Sequence, residues 1–341
     1  MIAILDFYNQ DPGIKIIFPE ADYFIFEEEY DRTRLYEKHS INHILDQIDG
    51  NVCDLISDSK YEMLFIIAPL YNAVHKYNGV IKSDFISDKT VDYLKRTIQI
   101  INKNQFKNVC IFDNYDYDYD PNIICQDDNF NHIFNEQFVK KKQILFFKRN
   151  YSKEKTYLDN VLPFPYIIFG KQCNIDMITS PVINPPEKKC RIFFIGTLFN
   201  HSDPIYGVFR NRKSVFDDIT RHVIIHFPPS MEHDKFLVEM STSKYALDLL
   251  GVGDPNIRTF EILSSGSLRL SQRSTLKWNF EDDFCEETYF DNGDDLFNKI
   301  RMIESDPVLY QKCLDKQNAI LSTYMNNSSL REYILKNISR Y

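Results

Sequence analysis

Short apolar runs alternate along this chain with longer stretches whose apolar positions recur every three or four residues. A run of four to eight apolar residues bounded by turn signals reads as a buried strand, and the three-to-four spacing reads as one face of a helix. In the first half the strands expected on this basis are Ile2–Phe7, Lys15–Phe18, Met63–Ala68, Asn108–Phe112 and Gln143–Phe147. Between them, Tyr30–Ile48 and Thr90–Asn102 carry helical spacing; in the second, Val91, Leu94, Ile98 and Ile101 fall on one face. Strands alternating with helices predict a parallel sheet covered on both faces.

The segment 180–189 breaks this rhythm with three prolines and little periodicity, so it reads as a linker. The alternation then restarts. Strands are expected at Arg191–Ile195, His222–Phe227, Tyr245–Leu250 and Ser267–Ser271. Helices are expected at Phe209–Arg221, Ser230–Ser243 with Ser230 as N-cap, Asn256–Ser265, Asp294–Glu304 and Pro307–Tyr324. Asp306 and Pro307 make a cap and first turn for the last of these. The pattern therefore predicts an α/β protein of two Rossmann-like domains, 1–180 and 181–341, facing across a cleft, with the last helix able to pack back on the N-terminal domain. In open parallel sheets ligands sit at the C-terminal ends of the strands. Two such edges suit a reaction that joins two substrates.

Composition narrows the function classes. The formal net charge is −9, so no global field draws nucleic acid or an anionic lipid surface, and no nucleic-acid partner is expected. A bound phosphate must be held locally, by a few basic groups and backbone N–H donors. The longest strongly apolar run, 63–70, is far short of the roughly 20 residues that cross a bilayer. The N-terminus has no basic and apolar leader pattern, and the expected location is the cytoplasm. The seven cysteines are scattered, with no CxxC spacing, which argues against a disulfide framework or a zinc site and fits a reducing compartment.

The densest chemical pattern lies at Leu250–Glu261, where Gly251 and Gly253 follow a strand and Asp254, Pro255 and Asn256 lead into a helix. Glycine lets backbone approach a ligand closely, and the free N–H groups of a first helical turn suit a phosphate. Arg258 adds a forked donor for a diphosphate. Glu261, three residues on, shares its face. A carboxylate there accepts from ribose or sugar hydroxyls, or steers Arg258. Gly266 reads as the helix stop. Only ten glycines occur in the whole chain, and three of them fall within Gly251–Gly266, which is more than a structural turn requires.

The block Lys244–Gln272 resembles the donor-binding segment of GT-B glycosyltransferases, most of all the CgeB-like and exostosin-like groups, where a small-residue loop precedes Arg-x-x-Glu and a small-residue–Gly stop. The resemblance implies that the loop (Gly251, Gly253, Asp254) and Arg258 meet the diphosphate and that Glu261 meets the ribose or sugar. Asn256 stands where the family often has a small hydroxyl residue. Gly196 and Thr197 look like the opening glycine loop of the C-terminal domain. Arg210, Arg212 and Lys213 resemble the basic start of the helix that follows, with Arg212 and Lys213 expected to offset charge on the departing phosphate. Lys148 and Arg149 end a strand that resembles one seen between the two domains. On this likeness the first domain takes the acceptor and the second the nucleotide sugar.

The resemblance implies a glycosyltransferase, hexosyl or pentosyl, that moves a sugar from a UDP- or GDP-sugar to a glycan, glycoprotein or other hydroxyl acceptor. It is expected to be inverting and to need no metal or other cofactor. An inverting transfer needs a general base on the acceptor hydroxyl. Asp113 and Asp116, just past a strand end, are the first candidates, with His75 behind them; Asp118 and Asp120 read as a solvated acidic loop. Asp116-Tyr-Asp118 also spells the DxD of metal-dependent transferases, where two carboxylates hold a divalent cation. The donor-like segment lies in a separate C-terminal domain, against that plan. A non-catalytic sugar-nucleotide or glycan-binding protein of the same fold is a further reading. A dinucleotide oxidoreductase is disfavoured because no strand leads into GxGxxG.

Overall fold

The computed structural model describes residues 1–6, 13–25, 56, 60–67, 88–104, 106–113, 144–148, 151–154, 156–163, 188–198, 212–229, 231–250, 257–277, 281–324 and 327–341. The chain divides into two compact units. One comprises residues 1–167 together with 327–341, and the other residues 168–326.

Among the described residues the first unit is built on six parallel strands: β1 (Ile2–Asp6), β2 (Asp22–Ile25), β3 (Met63–Ile67), β4 (Asn108–Asp113), β5 (Ile144–Lys148) and β6 (Val161–Pro163). Their order across the sheet is β2-β1-β3-β4-β5-β6. Every residue of β1 and β5 is buried, which is what a sheet covered on both faces demands of its strands. Phe18, Phe65, Phe112 and Phe147 form a chain of ring contacts at 5.1–5.2 Å across the core.

The segment expected as a strand at Lys15–Phe18 is instead part of a short helix, α1 (Gly13–Ile17), closed by a bond from the Phe18 N–H to the Ile14 carbonyl at 2.9 Å. Ile14, Ile17 and Phe18 are its buried residues, a spacing of three and four. A run of isoleucines fits either period, and here the tertiary packing chose the helical one. The strand is the next segment, Asp22–Ile25. Helix α2 (Asp88–Lys103) covers the predicted Thr90–Asn102, while the predicted helix 30–48 lies outside the described residues.

The second unit repeats the plan. Its strands are β7 (Lys189–Phe193), β8 (Ile225–His226), β9 (Ser243–Asp248), β10 (Leu268–Gln272) and β11 (Tyr289–Phe290), all parallel, in the order β11-β10-β9-β7-β8. Side chains alternate between its two faces. Ile192, Phe194, Tyr245, Leu247 and Leu249 enter one core, and Phe193 and Ala246 enter the other. Its helices are α3 (Arg212–Ile219), α4 (His233–Ser241), α5 (Ile257–Ser265), α6 (Gly293–Ser305) and α7 (Pro307–Tyr324).

Local chemistry explains where these helices begin and end. Asn292 caps α6 by accepting from the Asp295 N–H at 2.9 Å. Asp306 accepts from the N–H groups of Val308 and Leu309 at 3.0 and 3.1 Å, ahead of Pro307. Gly266 ends α5 with φ +69°, the left-handed stop. Helix α4 starts at His233, with Glu232 in the cap position and no side-chain cap bond, so the N-cap expected at Ser230 is corrected; Ser230 itself lies outside the described residues. A last helix, α8 (Asn327–Ile338), belongs to the first unit. Arg331 ties it to Glu20, and the Tyr333 hydroxyl donates to the Pro163 carbonyl at 2.8 Å.

Candidate functional site

Both sheets reverse direction of strand progression once, between β1 and β3 in the first unit and between β7 and β9 in the second. At such a switch point the two neighbouring chain segments leave the sheet on opposite faces, which opens a crevice at the strand ends. In the second unit β7 and α5 flank that crevice.

Strand β7 runs out through Phe194 and Ile195 to Gly196, whose φ of +155° disfavours any side chain. The Arg258 guanidinium, from the first turn of α5, rests directly on this glycine. A Cβ at position 196 would stand only 2.7–2.8 Å from its Nη1, Nη2 and Cζ atoms. The Phe194 ring lies 5.4 Å from the same guanidinium, within cation–π range. Burial pulls the Arg258 pKa down from its ordinary value, while the nearby carboxylates of Asp248 and Glu261 pull it back up. An arginine stays charged under such opposition. Glu261, one turn on, is buried beside it.

Behind Arg258 stands a buried polar network. Asp248, the last residue of β9, accepts on Oδ2 from Thr259 Oγ1 at 2.9 Å and from Arg269 Nε at 2.6 Å. Arg269 also donates to Ser271 Oγ at 2.7 Å and lies 4.9 and 5.5 Å from the Phe284 and Tyr289 rings. Burial works against its charge, but Asp248 and Tyr289 together hold its pKa above the ordinary value. Asp248 thus links the start of α5 to strand β10 through one carboxylate. This network was not anticipated from the sequence. Its signal was there, however: a charged residue at alternate positions inside Leu-Asp-Leu and Leu-Arg-Leu, in strands buried on both faces.

Arg212 opens α3 and holds the two strand-end loops together. It donates from Nε to the Leu250 carbonyl at 2.8 Å, from Nη2 to Leu249 at 3.3 Å and from Nη1 to Thr197 at 3.4 Å. Gln272 accepts from the Leu250 N–H at 3.3 Å. Lys213 points elsewhere and pairs with Asp217 at 2.5 Å on the exposed side of α3. In the first unit, Asp113 and Lys148 are register neighbours at the ends of β4 and β5, and the Lys148 side chain is fully buried. The structure therefore brings Gly196, Thr197, Arg212, Arg258 and Glu261 to one strand edge, and Asp113 and Lys148 to another. Gly251, Gly253, Asp254, Asn256, Arg210, Arg149, Asp116 and His75 lie outside the described residues.

No family model and no curated protein matches the chain. Solved structures do. A glycosyltransferase from Rickettsia africae aligns over 99% of this chain and 98% of its own, at 10% identity and a TM-score of 0.54. The T4 phage enzyme BGT in complex with its UDP-glucose substrate aligns over 99% of both chains at 12% identity and a TM-score of 0.46. HepE from Anabaena in complex with UDP aligns over the full length of both at 12% identity and a TM-score of 0.41. The first of these carries the fold assignment. The protein has the GT-B architecture of two Rossmann-like α/β domains.

Proposed function

We propose that the protein is a glycosyltransferase of the GT-B kind that takes a UDP- or GDP-sugar in its C-terminal unit and passes the sugar to a hydroxyl of a glycan or glycoprotein. The observation that carries this reading is the seating of the Arg258 guanidinium on Gly196 at the switch point, with Glu261 one turn further along the same helix. A cation held at a strand end, beside a positive-φ glycine and a helix N-terminus, suits a diphosphate. A buried carboxylate a turn away suits ribose or sugar hydroxyls. The resemblance of Lys244–Gln272 to CgeB-like and exostosin-like transferases supports the same assignment of roles.

In this reading Arg258 and the 251–256 loop offset the negative charge that builds on the leaving diphosphate, so transfer proceeds without a divalent cation. Arg212 keeps the two loops at the spacing the donor needs, Arg210 supplies outer positive charge, and Lys213 would do so only on leaving its pairing with Asp217. Inversion at the anomeric carbon requires a base on the acceptor hydroxyl, and Asp113, Asp116 and His75 are proposed for it, with Lys148 and Arg149 supporting the acceptor side. We place the protein's action in the cytoplasm; separately, no helix among the described residues is long and apolar enough to cross a membrane.

The test is a panel of nucleotide sugars and free nucleotides, followed by thermal shift and by release of nucleoside diphosphate. Stabilisation by one donor, with turnover that survives EDTA, is the expected result. Failure of every nucleotide to stabilise the protein refutes the proposal. Binding without turnover on any acceptor moves the protein to the non-catalytic class, and activity lost to EDTA and restored by manganese moves it to the DxD class. Glu261→Ala is expected to weaken donor binding about tenfold or more, equivalent to a lost charge-assisted hydrogen bond of roughly 1.5–3 kcal/mol.

A further inference from the structure

Away from the strand-end site, the second unit gathers two thiols and a carboxylate that the sequence keeps far apart. Cys285 lies in the loop ahead of β11, Glu287 two residues later, and Cys313 in the middle of α7. Their donor atoms all fall within 4.8 Å of one another. We propose that Cys285, Glu287 and Cys313 form a binding site for a divalent zinc ion, which fastens helix α7 to the loop that leads into edge strand β11.

Both cysteines are almost wholly buried, at 3% and 1% exposure, and both sit in the large apolar cluster with Leu268, Leu270 and Phe290. Packing alone accounts for buried thiols, which behave as small apolar groups. It leaves unexplained why a carboxylate oxygen converges on the same point as the two sulfurs, an arrangement of three donors that a divalent cation would complete. Two sulfurs and one carboxylate oxygen are the donors zinc accepts, with Zn–S near 2.3 Å and Zn–O near 2.0–2.2 Å. A tetrahedral site then needs donor separations of roughly 3.5–3.8 Å, within about 1 Å of the span observed. Soft thiolates favour zinc over magnesium or calcium, and a fourth position remains for water.

The loop is already fixed. The Cys285 carbonyl accepts from the Thr288 N–H at 3.0 Å and from its hydroxyl at 2.7 Å. Thiols give up their protons when they bind zinc, so metal binding releases protons and strengthens as pH rises. A disulfide between the two cysteines is the competing use of the pair, but it gives Glu287 no part.

The experiment uses the full chain, reduced and stripped of metal, titrated with cobalt(II) and then zinc. The expected result is one equivalent of cobalt bound with thiolate-to-cobalt charge transfer and a tetrahedral visible spectrum, displaced by zinc, with proton release and a raised melting temperature. Cys313→Ser should abolish the spectrum. Glu287→Gln, at a partly exposed position, should leave the circular-dichroism melt of the metal-free protein unchanged and weaken zinc about tenfold or more. Folded, reduced protein that shows no charge-transfer band overturns the proposal. So does a spectrum that persists in both Cys285→Ser and Cys313→Ser, or a Cys285–Cys313 disulfide in oxidised protein whose reduced form takes up no zinc.

Discussion

At Gly196 a single hydrogen stands where any other residue would place a carbon against a guanidinium. The backbone φ of +155° and the 2.7–2.8 Å approach to Arg258 point the same way. Gly196→Ala should displace Arg258 and strain the turn by about 1–3 kcal/mol. Isothermal titration with the donor nucleotide is expected to show at least tenfold weaker binding, and an unchanged dissociation constant would separate Arg258 from the ligand. Arg258→Lys keeps the charge but loses the planar fork, so it should weaken binding as well. At this scale the sequence was informative about Arg258 and Glu261, because their spacing puts both on one helical face. It was silent on Asp248 and Arg269 as partners. Nothing in a linear string says that an aspartate ending one strand will share its oxygen with an arginine in the next.

Among the elements, the helix termini were the most legible, since caps are local chemistry. Asp306-Pro307 and Gly266 act where their residue types predict. Segments with one apolar run and no cap were the least legible. Lys15–Phe18 satisfied the strand pattern and folded as a helix, because burial of Ile14, Ile17 and Phe18 decided between two periods. Helix α8 is also hard to read, since Leu330, Ile334 and Ile338 recur every four residues but stand in a largely polar stretch. Arg331 holds this helix by a two-pronged contact with Glu20, one arm at 2.9 Å, and by its position 4.8 Å over the Phe18 ring. The hydrogen bonds from Arg331 hold the Glu20 carboxyl below its ordinary value. A depressed carboxylate pKa stabilises the fold above the unfolded-state value and loses that contribution as pH falls through the folded-state value. Glu20→Gln should therefore lower the melting temperature by about 1–3 °C at neutral pH, the modest effect of a half-exposed pair, and the difference should fade in acid as pH drops through the depressed folded-state value. A difference that is independent of pH would assign the loss to packing instead. Arg212 is an element-scale clamp of another kind, joining the loops after β7 and β9 through three carbonyls. Arg212→Ala removes one buried and two part-buried bonds and should cost about 1–3 kcal/mol in a urea melt.

For the molecule as a whole, each unit has its own sheet and its own core. Calorimetry is therefore expected to resolve two unfolding transitions. The donor nucleotide should raise the one that belongs to residues 168–326, by about 2.7 kcal/mol at a hundredfold excess over its dissociation constant. A nucleotide that leaves both transitions in place would argue against a donor site in that unit. The order β8-β7-β9 places the Gly196–Arg258 edge of the second unit at a switch point, whereas Asp113 and Lys148, at the ends of β4 and β5, stand away from the β1/β3 switch point of the first.

The sequence by itself determined the class of this protein. Apolar runs alternating with helical spacing dictate parallel sheets covered on both faces, and this follows from local periodicity and the need to bury apolar surface. It also determined one helical face, Arg258 and Glu261, because residues three apart on a helix are neighbours wherever that helix lies. The tertiary structure decided the rest, and the reason in each case is contact between residues distant along the chain. Gly196 meets Arg258, Asp248 meets Arg269, Arg212 meets Thr197 and Leu250, and Cys285 meets Cys313 only because segments far apart along the chain are brought together, β7 beside β9, β9 beside β10, and helices packed against the sheet.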